Sequence, residues 1–161
     1  MSKAQVKLTL AIYACPEDQQ PVVEKALEAH GSLQWSANSL IPGNLTAEIT
    51  CMLGQSEIGD LVSKLIQVSG IHFEAIKYET EFGELHMFVP GLGLFRADTN
   101  SAGEIMIGEE RIRNAMEQAA GNYRELQRLL RSLLGQSWDD VLEPHRAGRY
   151  NQNVALFNRA V

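Results

Sequence analysis

The chain has 161 residues, of which 45% are hydrophobic and 21% charged, and a net charge of −6. That length and composition fit one globular domain that buries a core without disulfide or metal staples, and they exclude a disordered or low-complexity chain. No run of about 18 apolar residues is present, which speaks against a transmembrane helix, and the acidic balance disfavours non-specific nucleic-acid binding.

Val6, Leu8, Leu10 and Ile12 alternate with Lys7, Thr9 and Ala11, the period-two signature of a strand over residues 6–13. Cys15-Pro16-Glu17-Asp18 punctuates, and Val22, Val23, Ala26, Leu27 and His30 predict a helix that Gly31 stops. Leu33-Gln34-Trp35 reads as a short strand. Leu45, Ala47, Ile49, Cys51 and Leu53 form the apolar face of a long one. Ser56 is the expected N-cap of a helix carrying Ile58, Leu61, Val62, Leu65 and Ile66, and residues 71–78 return as a strand. The order is β-α-β-β-α-β, a ferredoxin-like arrangement within an α+β fold.

Further strands are expected over 84–89, 92–97 and 104–107. A helix follows over 109–120, with Ile112, Ala115, Met116 and Ala119 inward. Asn122 and Glu125 resemble a capping box for the next helix, whose apolar face is Leu126, Leu129, Leu130, Leu133 and Leu134. From Gln136 the tail reads as irregular, broken by Pro144. Residues 1–161 are expected to form one compact unit, a ferredoxin-like half (1–80) with a strand-plus-helix half (81–161) packed on it.

Charge divides along the same line. Residues 1–104 carry net −7 and residues 105–161 net +1; all five lysines precede residue 78, and eight of nine arginines follow residue 110. Met1 to Gln5 lacks the features of a signal peptide, and the only cysteines are Cys15 and Cys51. The expected setting is a reducing cytoplasm.

Five segments together carry a resemblance: Ser32-Leu33-Gln34-Trp35, Leu92 to Ala97, Gly103 to Ile107, Glu110 to Arg113, and Leu134 to Pro144. As a set they resemble an actinobacterial domain-of-unknown-function family (number three-one-four-five), most strongly over residues 92–146. The resemblance implies an actinobacterial or phage origin and brings no activity or catalytic residue. His145 stands where an aromatic residue is usual in that family, and Leu156-Phe157-Asn158-Arg159 replaces a Trp-containing ending.

No motif supplies a catalytic apparatus, so the chemistry leans away from an enzyme. Cys15 precedes a helix N-terminus, where a dipole lowers a thiol's pKa, but no base is adjacent; a packed residue is the competing reading. His30, His72, His86 and His145 lack metal-ligand spacing, although His72 and His86 are placed to meet across a hairpin with Glu74 or Glu84. No metal or cofactor is expected. Gly91-Leu92-Gly93 leads into a strand and reads as a turn, not a phosphate loop.

Arg124, Arg128 and Arg131 recur at i, i+4 and i+7 and so share one helix face, either solvated or gripping an anionic partner. Trp138, among Asp139, Asp140 and Glu143, either anchors the tail or adds to that surface. These four residues are the candidate partner-binding set. The reading is a protein-binding or adaptor module, its partner another protein or a second copy of the chain, with no membrane involved. A small-ligand sensor or enzyme is the alternative, its pocket lined by Tyr78, Phe82, Phe88 and Phe95. An anionic or nucleic-acid contact through the arginine face is the third.

Overall fold

The computed structural model describes residues 5–159, with side chains described for residues 5–147. Strand β1 (Gln5–Pro16) runs through a 3-10 turn (Glu17–Gln19) into helix α1 (Gln20–Leu27). Then come β2 (Asn44–Gly54), α2 (Gln55–Leu65), β3 (His72–Tyr78), β4 (Phe82–Val89), β5 (Gly93–Asn100) and β6 (Ile105–Met106). Three helices close the chain: α3 (Glu109–Ala119), α4 (Tyr123–Leu133) and α5 (Gln136–Arg159). The protein is thus a mixed α+β fold. Its six strands form one antiparallel sheet in the order β2-β1-β3-β4-β5-β6. Among the described residues no helix is long and apolar enough to cross a membrane.

Because side chains alternate across a strand, β1 feeds two cores. Val6, Leu8, Leu10 and Ile12 join Val23 and Leu27 of α1, Ile58, Leu61, Val62 and Leu65 of α2, and Phe73 and Ala75 of β3. Ala11 and Tyr13 point the other way, to Leu85, Met87 and Val89 of β4, Phe95 and Ala97 of β5, and Leu142 of α5. The sheet is therefore the middle layer, with α1 and α2 on one face and α5 on the other.

Four local expectations are corrected. The strand expected at Leu33-Gln34-Trp35 is reduced to one bridge, Ser36 with Thr46; Leu33 and Trp35 instead pack on the first core. The N-cap of α2 is Gly54, not Ser56: the Glu57 carboxylate accepts the Gly54 amide at 2.8 Å. On α3 only Ala115 and Ala119 are buried, while Ile112 and Met116 are exposed. The irregular tail is helix α5. Pro144 lies within it and removes one backbone donor, but Trp138, Leu142 and His145 recur at i, i+4 and i+7 and pack on the sheet. Burying that stripe, at roughly 1.5–3 kcal/mol for a fully buried large apolar side chain, offsets the proline's cost of about 3 kcal/mol. The expected cap of α4 is present, with Asn122 Oδ1 accepting from the Glu125 amide at 3.2 Å. The departure noted at Leu156 to Arg159 lies outside the described side chains.

Cys15 and Cys51 are buried and free. Cys15 pairs with Leu45 and Cys51 with Leu8, which places them at opposite ends of the β1–β2 ladder. Burial, aided by the Asp18 charge, pushes the Cys15 thiol up to about 11, the reverse of the lowering expected at a helix start. Both thiols should stay unlabelled by a thiol reagent at neutral pH until the protein unfolds, and reductant should leave stability unchanged. Mass spectrometry after native labelling checks this; rapid modification of Cys15 would contradict it.

Candidate functional site: an arginine groove between two helices

Helix α4 is strongly amphipathic. Its leucine side leaves Leu126, Leu129, Leu130 and Leu133 half-buried, and its other side carries the arginines. The chain turns at Gly135 (φ +67°) and starts α5 alongside. A groove of about 590 Å³ opens between the two helices. Arg124, Arg128 and Arg131 line its α4 wall with Gln127 and Ser132; Gln136, Ser137 and Asp140 line its α5 wall.

Arg128 is held in a two-point ion pair, Nε and Nη2 to the Glu125 carboxylate at 3.0 and 2.6 Å. That pair holds Glu125 below the usual carboxylate range. Arg124 and Arg131 have no ion pair or hydrogen bond among the described residues. On the α5 wall Asp140 accepts from Gln136 Nε2 at 2.9 Å. Chemically, the groove offers two unpaired guanidinium forks beside two serine hydroxyls, a donor-rich surface for carboxylates or phosphates. The three arginines thus share one groove. Trp138 lies elsewhere: its Nε1 donates to the Gly93 carbonyl at 2.9 Å and its ring sits 5.3 Å from Phe95, so it anchors α5 to β5.

Two polar clusters flank the sheet; the sequence suggested His86 beside Glu84 but not the arginines that join each cluster. Under α5, Arg146 donates to Glu74 of β3 (Nε at 2.9 Å, Nη2 at 2.5 Å), to Asp139 at 3.0 Å and to Glu143 at 3.2 Å. Glu74 also accepts from the Tyr13 hydroxyl at 3.3 Å. On the opposite face of the sheet, Glu84 meets Arg96 Nε and His86 Nε2, each at 2.7 Å. Burial works to raise the Glu84 pKa, but Arg96, His86 and Lys77 outweigh it and hold the carboxyl low. Burial likewise holds His86 below its ordinary value, hence neutral, against the opposing pull of Glu84. His86 and His72 do not meet: Ala75 stands opposite His86. Among the described residues no cluster of three or more His, Cys, Asp and Glu side chains could hold a metal.

The aromatics expected to line a ligand pocket do not converge. Phe88 stacks on Phe73, Phe95 packs on Trp138 across the sheet, and Tyr78 receives Lys7 at 5.3 Å from its ring centroid. Phe82 lines a cavity of about 380 Å³ with Lys77, Glu84, Asp98 and Met106.

Replacing Arg124, Arg128 and Arg131 together by Gln should leave the unfolding midpoint nearly unchanged, because all three are exposed and Gln is also a good helix former. Urea denaturation checks this; unfolding of the triple variant would mean that the face is structural.

Over residues 10–159 the chain matches the family described as "Protein of unknown function (DUF3145)", and it belongs to that family. No curated protein and no solved structure matches it.

Proposed function

We propose that this protein is a non-catalytic binding module that receives an acidic segment of another protein in the groove between α4 and α5. The observation carrying this reading is the convergence of Arg124, Arg128 and Arg131 on one groove, with two of the three guanidinium groups unpaired among the described residues. A carboxylate-bearing segment supplies the missing acceptors, and Arg forks favour planar two-point contacts. The chain's net charge of −6 favours an acidic peptide seated locally over a nucleic acid that runs across the whole surface. Two buried free thiols fit a reducing cytoplasm as the setting.

The test is capture from a native host lysate on the full chain and on the triple Arg→Gln variant. A triple change of Glu17, Asp18 and Glu24 to Gln serves as charge control. The reading expects a partner retained by the parent and the acidic-side control, lost from the arginine variant, and eluted by salt. Equal retention by all three chains contradicts it. A second reading, a small-ligand sensor, rests on the cavity beside Phe82 and Met106. It expects a metabolite that raises the melting temperature of the parent and fails to do so after Phe82→Ser.

A further inference from the structure

Among the described residues, helix α5 reaches the sheet through Trp138, Leu142, His145 and Arg146. The His145 ring is 9% exposed and lies 5.8 Å from the His72 ring of β3 and 5.9 Å from the Tyr13 ring of β1. His72 Nδ1 sits 3.0 Å from the Gly70 carbonyl, so that nitrogen carries the proton in the neutral ring. Among the described residues, the charged and titratable groups around the pair are Tyr13 of β1, Glu74 of β3, and Asp139, Glu143 and Arg146 of α5. Glu74 is engaged by Arg146 and Tyr13, and Asp139 and Glu143 are engaged by Arg146. Cys15, beside the Ala14 that pairs with His72, is a neutral thiol. Among the described residues neither imidazole has a carboxylate in ion-pair contact.

A proton on each ring would therefore set two largely desolvated cations against one another, with no carboxylate among the described residues in contact with either ring. We propose that the His72–His145 contact is an acid-labile clasp, whose protonation releases α5 from the sheet while the sheet and its α1–α2 layer stay folded.

Burial holds both imidazoles below their ordinary value of 6.5; for His145 the charge of His72 adds to this, and for His72 the Gly70 carbonyl opposes it. The docked state then binds fewer protons than the released one. The clasp's stabilisation is complete above the ordinary imidazole value and is lost as pH falls through the lowered one. Acid releases the helix, and base does not. Since α5 contributes Gln136, Ser137 and Asp140 to the arginine groove, release also dismantles that groove.

Trp138 reports the event, because its ring packs against Phe95 only while α5 is docked. The experiment uses the full chain with Trp35→Phe, which leaves Trp138 as the sole tryptophan. Emission and acrylamide quenching are followed from pH about 7.5 to about 4.5, with far-UV circular dichroism in parallel. The expected result is a reversible red shift and a several-fold rise in quenching below pH about 6.5, with the strand signal unchanged. His145→Phe, which keeps an aromatic ring without a titrating group, should abolish the shift; His72→Gln is the second variant should the first not fold. His86 remains in both, so its titration cannot mimic the clasp. A flat response in the parent, the same transition in both variants, or loss of the strand signal at the same midpoint would overturn the proposal.

Discussion

Gly135→Ala should lower the stability of this protein by roughly 2–5 kcal/mol, a large share of the 5–15 kcal/mol typical of a domain. Two effects add. The backbone at Gly135 has φ +67°, a left-handed conformation that costs an L-residue about 1–2 kcal/mol. A Cβ there would also lie 2.8 Å from Phe95 Cε1, 2.9 Å from its Cζ and 3.0 Å from Met87 Cε. Met87 is flexible at its tip, but the Phe95 ring is wedged against Trp138, and overpacking of this kind costs about 1–3 kcal/mol. Gly91→Ala separates the two terms: φ there is +88° and nothing lies within 4 Å of the added carbon. Its expected loss is the strain alone. Urea unfolding of both variants decides, and equal losses would show that Gly135 is a turn residue only, with no packing role between helix and sheet.

Arg146→Met should cost about 3 kcal/mol. The Arg146 side chain is 27% exposed and that of Glu74 15%, so the pair is mostly desolvated, and removing the cation strands a carboxylate under α5. Adding Glu74→Leu should restore much of the loss, because a buried pair exchanged as a unit for apolar groups is often close to neutral. The double-mutant cycle measures this directly. Additive losses would mean that Arg146 acts by packing alone.

The Glu74–Arg146 contact spans 72 positions and links a strand to a helix that Pro144 disguises, so no local pattern announces it. What was legible is what local physics writes: the alternation of β1 and β2, the leucine stripe of α4, its Asn122 cap, and the arginine spacing that places three guanidinium groups on one wall. A stripe records that a face is apolar but not what covers it. The α4 leucines therefore end half-buried, and Ile112 and Met116 of α3 stay exposed. Leu33 and Trp35 have the composition of a strand yet make only one bridge beside them, since their side chains are already engaged by the first core. The second wall of the groove was hidden for the same reason as the clasp: without α5 as a helix, Gln136, Ser137 and Asp140 have no reason to face Arg124 and Arg131.

The most direct test of the groove is a calorimetric titration of the full chain with a glutamate-rich peptide of about 12 residues at low salt, repeated at higher salt and with the Arg124, Arg128 and Arg131 to Gln variant. The account predicts binding to the parent that weakens as salt rises and falls by roughly tenfold or more in the folded variant, as the loss of charge-assisted hydrogen bonds requires. Undiminished peptide binding by that variant, or no binding by the parent at low salt, would contradict it.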